Sequence, residues 1–342
     1  MEIVKLGDIC NISTGNKNKD DECFNRENYY PFYTRSTKIL KSNDYSFDGE
    51  CIIVPGEGIF TPMWNDGKCA IHQRVYKIIT KDSFKLKNKY LFFWWTKNQN
   101  ILYKEATGST VKSLRKNNFE TPLIALPNIE QQQVIIDIIE PFEKEKYIRE
   151  NMNRTLLELI KNHNANNVLD EKVTLNDLVL RTKKKNPENY QNVIDLSSIN
   201  NDSLTFFSFK KTSDFNSNIF ETKEGDLFLS SIRPSLKKYG ISPFNMNILG
   251  TLFNFRPLIY ENRGLILSCI SSNNFQNFLI QSSEGTKMPI VKWDKFKDFK
   301  LRKINNNESL LFNNIFDFIK LNNQILNVLE KILNNLIELH IK

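Results

Sequence analysis

The sequence predicts an α+β chain built twice: two β-rich domains with some helix, separated by two long antiparallel coiled-coil helices, the whole forming a pseudo-twofold internal repeat. Three observations predict it. Short sequence patterns recur at a nearly constant offset, two segments ending near His163 and His340 carry apolar residues alternately three and four apart, and glycine-bounded apolar runs fill the intervals.

The repeat begins with Val4, Leu6, Asp8 and Ile9, which return as Val173, Leu175, Asp177 and Leu178, 169 residues on. Gly49-Glu50-Cys51-Ile52-Ile53-Val54-Pro55 is answered at offset 176 by Gly225-Asp226-Leu227-Phe228-Leu229-Ser230-Ser231, in both cases a glycine-acid turn feeding a buried strand. The offset then settles at 177, pairing Gly108 with Gly285, Phe119 with Phe296 and His163 with His340.

In the first β-rich part the strands are expected at 51–54, 70–79 and 121–125, with a helix over 89–104 whose Leu91, Trp94, Trp95 and Leu102 share a face. In the second they are expected at 193–196, 226–230 and 252–255, followed by one helix over 264–281. Pro127-Asn128-Ile129-Glu130 opens the first long helix, with a seam of Ile138, Phe142, Met152, Leu156 and Leu159 interrupted by Glu145 and Arg149. The second seam is Ile315, Ile319, Leu326, Leu329, Leu333 and Leu336, interrupted by Asn322. Each helix would be about 54 Å long at 1.5 Å per residue, more than a domain of about 125 residues needs, so the two are expected to pair. The expected boundaries are 1–127, 128–167, 168–304 and 305–342.

At 342 residues, 40% apolar and 25% charged, the chain is long enough for two cores and too apolar for disorder. No apolar run nears the roughly 20 residues of a bilayer crossing, and Glu2, Lys5 and Asp8 interrupt any export signal, so a cytoplasmic location without membrane contact is expected. Five cysteines without a Cys-x-x-Cys pair point to reduced, buried thiols. Cys69-Ala70-Ile71-His72 is half of a zinc pattern without a second half, and three histidines leave little material for a triad.

Gly67-Lys68 is followed by Cys69 and preceded by Pro62 where a phosphate loop needs glycine, and Asn186-Pro187-Glu188-Asn189-Tyr190 lacks the second proline of a base-methylating loop. Glu143-Lys144-Glu145-Lys146 sits in a periodic helix as a solvated face. Gly56-Glu57-Gly58 is a loop suited to close approach. With a net charge of +8 the chain attracts polyanions, which favours a nucleic-acid binder over an enzyme.

Gly108-Ser109-Thr110-Val111-Lys112-Ser113-Leu114-Arg115, Pro127 with Glu130-Gln131-Gln132-Gln133, the long helix, and then Gly285-Thr286-Lys287-Met288-Pro289 follow one another in an order that resembles the specificity subunit of Type I restriction-modification systems, or the related Type IIB subunits. The second helix departs from the pattern, opening Asn305-Asn306-Asn307-Glu308 without the proline and glutamine run. The resemblance implies two target recognition domains, each reading half of a split double-stranded DNA site, and helices that set the spacing and dock two methylation subunits, with restriction subunits beyond them. It implies no catalysis and no cofactor on this chain, S-adenosylmethionine belonging to the methylation subunits. The competing reading is a protein-binding scaffold with a coiled-coil stalk and no DNA role.

Basic residues in loops are the candidates for DNA contact. In the first domain these are Lys17, Lys19, Arg35, Lys38, Arg74, Lys112 and Arg115; in the second, Lys183, Lys184, Lys185, Arg233, Lys237, Lys238 and Lys287. Glu145, Arg149 and Asn322, polar where the seam would be stabler apolar, are expected to govern register or subunit docking, and Asn322→Leu is expected to raise thermal stability.

Overall fold

The computed structural model describes residues 2–18, 21–22, 29–36, 39–165, 172–185, 190–206, 209–215, 218–302 and 304–341. They fold as two units, Met1–Glu143 with Lys331–Lys342, and Lys144–Glu330.

Unit 1 contains β1 (Glu2–Lys5), α1 (Leu6–Ile9), β2 (Cys10–Thr14), β3 (Tyr30–Tyr33), β4 (Leu40–Ser42), β5 (Phe47–Asp48), β6 (Cys51–Pro55), β7 (Met63–Asn65), β8 (Lys68–Ile71), β9 (Val75–Thr80), α2 (Asn88–Glu105), α3 (Lys116–Glu120), β10 (Leu123–Leu126) and the start of α4 (Ile129–Ala165). Strands β2-β9-β6-β7 form an antiparallel sheet, β4-β3-β8-β5 a mixed one with β3 and β8 parallel, and β1 pairs with β10. The run Cys51 to Val54 is apolar throughout because β6 is covered on both faces. Ile52 and Val54 join the helical core of Leu91, Trp94 and Trp95, while Cys51 and Ile53 meet Tyr33, Cys69 and Ile71 of the second sheet.

Unit 2 repeats this plan. After α4 come β11 (Lys172–Thr174), α5 (Leu175–Leu178), β12 (Val179–Thr182), β13 (Asn192–Ile194), β14 (Lys210–Lys211), β15 (Ile219–Thr222), β16 (Leu227–Ser230), β17 (Tyr239–Ile241), β18 (Met246–Leu249), β19 (Leu252–Pro257), α6 (Arg263–Ser271), α7 (Asn273–Gln281), α8 (Trp293–Phe296), β20 (Lys300–Arg302) and α9 (Asn306–His340). Its sheets, β12-β19-β16-β17, β14-β13-β18-β15 with β13 and β18 parallel, and β11-β20, reproduce those of unit 1 pair for pair. Strand β16 divides its side chains as β6 does, Leu227 and Leu229 toward the helices and Phe228 toward Ile194 and Ile248.

Two expected elements divide. The strand expected at 70–79 is β8 and β9, which belong to different sheets, the chain turning between them at His72 to Arg74. The helix expected at 264–281 is α6 and α7, parted by Ser272, whose extended backbone ends one helix and whose hydroxyl accepts the Phe275 N–H of the next.

Both long helices open with reciprocal caps. The Asn128 side chain accepts the Gln131 N–H (2.8 Å) and that of Asn305 accepts the Glu308 N–H (2.9 Å), an offset of 177, so α9 starts in register despite its different sequence. Gln132 is fully buried and ties the loop to the helix, donating to Lys85 O and Pro127 O (both 3.0 Å) and accepting the Lys87 N–H (2.9 Å).

In unit 1, Ile136 and Ile139 pack in one core with Leu333, Ile337 and Ile341. In unit 2 the buried residues of α4, among those described, are Asn153, Leu157 and Ile160, one position on from the expected Met152, Leu156 and Leu159, and α4 runs antiparallel to the Phe312 to Glu330 stretch of α9. The shift arises because the true stripe of α4 is polar at its middle, leaving the parallel apolar stripe as the stronger sequence signal. The α9 seam is as expected through Leu333, after which Ile337 rather than Leu336 is buried. Among the described residues no helix is long and apolar enough to cross a membrane, and Cys10, Cys51, Cys69 and Cys269 are free and buried.

Candidate nucleic-acid interface

The loop leaving the central strand is built the same way in both units. In unit 1 the hairpin after α2 docks on it: Gly58 N donates to Lys112 O (3.0 Å), Leu114 N to Gly56 O (2.8 Å), and Glu57 bridges Ser113. In unit 2 Arg233 N donates to Pro289 O (2.7 Å), Val291 N to Ser231 O (2.8 Å), and Ile232 bridges Ile290. Arg233 therefore takes the place of Gly58, and both are left-handed, at φ 48° and 82°. A glycine adopts that conformation without cost, whereas an arginine does so against about 1 kcal/mol of strain. The exposed hairpin tips each start at a left-handed glycine, Gly108 and Gly285.

Around the unit 1 loop four predicted basic residues gather. The Glu57 carboxylate accepts from Arg35 Nη1 (2.8 Å) and Arg74 Nη1 (2.7 Å), one guanidinium on each oxygen. The Arg35 hydrogen bond first, then that of Arg74, hold its carboxyl below the usual range against the opposing effect of partial burial. Lys17 lies alongside, its backbone bridging His72 and its Nζ 3.8 Å from Asp44. Lys112 stands exposed on the hairpin. Burial first, then Arg35 and Arg74, keep the His72 imidazole below the ordinary histidine range, and its Nδ1 accepts the Arg74 N–H (3.0 Å). Thr34, Arg35, Leu40, Glu57, His72 and Val111 line an open cleft of about 350 Å³. Arg115, exposed, caps α3 one residue past the hairpin. Lys19 and Lys38 lie outside the described residues, as do Cys23 and the turn at 186–189.

In unit 2 the structure brings Arg233 and Lys287 together on the loop and its hairpin, with Lys237 closing the same turn. Lys238 points inward instead, donating to Leu196 O and to Ile199 O (2.9 Å), and burial lowers its ammonium from the usual lysine range. Lys183, Lys184 and Lys185 are exposed on a separate edge, where Lys185 bridges Phe220 of β15 and Lys184 lies 3.3 Å from the buried Glu221.

Sequence reasoning passed over Glu57 as an electrostatic centre. Only its place between two glycines signalled the loop, and nothing local announces partners 22 and 17 residues away. Cys69 and His72 do not converge on a metal position: Cys69 is buried in the apolar cluster with Cys51, while His72 Nδ1 accepts the Arg74 N–H. Among the described residues no group of three or more His, Cys, Asp or Glu could hold a metal ion.

Of the expected polar seam residues, Arg149 and Asn322 meet across α4 and α9, Arg149 Nη1 donating to Asn322 Oδ1 (2.7 Å). Asn322 Nδ2 donates to Asn153 Oδ1 (3.0 Å), Asn153 Nδ2 to Asn323 Oδ1 (3.0 Å), and Asn323 Nδ2 to Leu204 O (2.8 Å), a buried layer with its amides paired. Glu145 sits outside it, partly exposed, 2.7 Å from Arg149 Nε. Replacing Asn322 alone with leucine would leave Arg149 Nη1 and Asn153 Oδ1 without their partner in a buried layer, so the sign expected from the sequence reverses.

Residues 1–159 match the family model described as the Type I restriction modification DNA specificity domain. A stretch of 137 residues, 40% of this chain, is 26% identical to the Type I restriction enzyme EcoDI specificity subunit of Escherichia coli, and spans 30% of that relative's length. Over 99% of this chain and 93% of the other, the fold is similar to that of the Type-I restriction-modification system S subunit from M. genitalium, at TM-score 0.51 and 13% identity. The first 159 residues thus resemble a Type I restriction modification DNA specificity domain, and the second unit repeats the strand pairings of the first.

Proposed function

We propose that this chain is the non-catalytic, DNA-reading subunit of a restriction-modification complex, in which 1–127 and 168–304 are target recognition domains, each reading half of a split double-stranded site, and 128–167 and 305–342 are the spacer helices. The observation that carries this reading is the duplicated loop and hairpin, which in both units exposes a left-handed turn among arginines and lysines. Such turns let backbone approach a duplex closely while long cations reach phosphates and base edges. The helices dock methylation subunits, which bring S-adenosylmethionine. In support, exposed Ile148, Met152 and Leu159 on α4 and Phe318, Leu321 and Val328 on α9 form apolar stripes beside the buried seam.

Lys183, Lys184 and Lys185 stand apart from the loop and are assigned to phosphate. Replacing all three with alanine should weaken binding about equally for every duplex and reduce the slope of log affinity against log salt by about 0.9 for each phosphate no longer neutralised. DNA affinity independent of salt in the wild type would rule out the DNA-reading function.

A further inference from the structure

We propose that Glu57 selects the base at one position of the first half-target by accepting a hydrogen bond from an exocyclic amine, that of cytosine before that of adenine. This rests on the DNA-reading function proposed above. The carboxylate occupies the loop that the hairpin pins, and each of its oxygens is engaged by one half-exposed arginine, leaving further acceptor positions toward the open cleft.

A carboxylate is an awkward group to bring to DNA. Phosphates, sugars and most base-edge atoms present acceptors only, and the donors available in the major groove are the amines of cytosine N4 and adenine N6. Facing any other part of the major groove or the phosphate backbone, Glu57 would be repelled and would also cancel the attraction of Arg35 and Arg74. Holding two exposed arginines in place does not justify such a group, since surface ion pairs contribute about 0 to 1 kcal/mol. Facing an amine, the same carboxylate is matched, and the arginines on either side are directed to the flanking acceptors.

Unit 2 supplies the contrast. Where Glu57 bridges Ser113, Ile232 bridges Ile290, and Arg233 follows in place of Gly58. An isoleucine and an arginine suit a thymine methyl and a guanine edge, so the two loops share a backbone and differ in the chemistry they can read.

The test selects the full-length chain, assembled with its methylation subunits, against a randomised duplex library. The wild type should return an amine-bearing base at one position of one half-site, and Glu57→Leu, which fills the site without an acceptor, should relax that position by about ten-fold while leaving the other half-site unchanged. Replacing the selected base with an analogue lacking the amine should weaken wild-type binding by about the same factor and leave Glu57→Leu unaffected. Glu57→Asp, which keeps the charge, should retain the preference. If Glu57→Leu returns the wild-type sequence and merely binds all duplexes more tightly, the carboxylate only screens its arginines and the proposal is overturned, though DNA reading stands. A wild-type chain that enriches no sequence overturns both.

Discussion

At the turn that feeds the central strand, unit 1 leaves Glu50 exposed, whereas unit 2 buries Asp226 at 2% exposure. Asp226 accepts from Arg256 Nε (2.9 Å) and Nη2 (2.7 Å), from Asn254 Nδ2 (3.0 Å) and from the Lys223 N–H (2.9 Å). In the matching ladder of unit 1, Lys77 and Ile79 occupy the positions of Asn254 and Arg256. The strand order is nevertheless the same in both. Topology is thus set by the glycine turns and the apolar strand faces, which the units share, while the polar interior is an addition local to unit 2.

That comparison breaks most visibly at Asp226. Asp226→Ala removes the partner of a guanidinium about two-thirds covered and one of the acceptors of the buried Asn254 amide, and should cost about 3 kcal/mol, read as a lower urea midpoint. Glu50→Ala, at the exposed acid of the corresponding glycine turn, should stay within about 0.5 kcal/mol. Equal effects from the two substitutions would mean that the buried pair does not distinguish the units.

The helices repeat the contrast. Their unit 1 portions meet through Ile136, Ile139, Leu333 and Ile337, and their unit 2 portions through the asparagine layer and the Lys146–Glu330 ion pair. A paired polar layer tolerates one alignment of its amides and therefore specifies register more sharply than interchangeable apolar contacts do. Asn322→Leu should cost about 1 to 3 kcal/mol by leaving Arg149 Nη1 and Asn153 Oδ1 without their partner. Alanine at both Asn153 and Asn322 should cost less than the two single changes added together, and strict additivity in a thermal denaturation cycle would show that the layer is not one network.

How much of this was legible follows the same division. The repeat could be read because Gly108 and Gly285 answer a backbone demand, a left-handed turn, that few other residues meet. Arg233 meets the same demand without being glycine, so sequence alone marked it as a cation and gave no sign of its backbone role. The α4 stripe was misplaced by one residue because Lys146, half-buried, and Asn153, fully buried, face inward by pairing with partners on α9, which periodicity of apolar residues cannot register. Lys238 read as a surface charge for the same reason, its carbonyl partners lying some forty residues earlier in the chain.

The smallest expected effect concerns Glu150, in the polar stretch of α4. Burial is the main cause that raises its carboxyl above the usual range, with Lys146 opposing and Glu330 reinforcing. A raised carboxyl is easier to protonate in the folded chain than in the unfolded one, so its charge opposes folding at neutral pH. The penalty is complete above the raised folded value and fades as pH falls toward the ordinary glutamate value of about 4.3, where both states take up the proton. Glu150→Gln, which keeps the shape and removes the charge, should therefore stabilise the protein by on the order of 0.5 kcal/mol at pH 7, with the gain vanishing near pH 4. The check is the difference between the two denaturation midpoints followed from pH 7 to pH 4. A Glu150→Gln chain less stable than the wild type at pH 7, with the loss vanishing toward pH 4, would mean that Glu150 is stabilised as a carboxylate by Lys146, and that the polar stretch of α4 is held by its charges rather than by its amides.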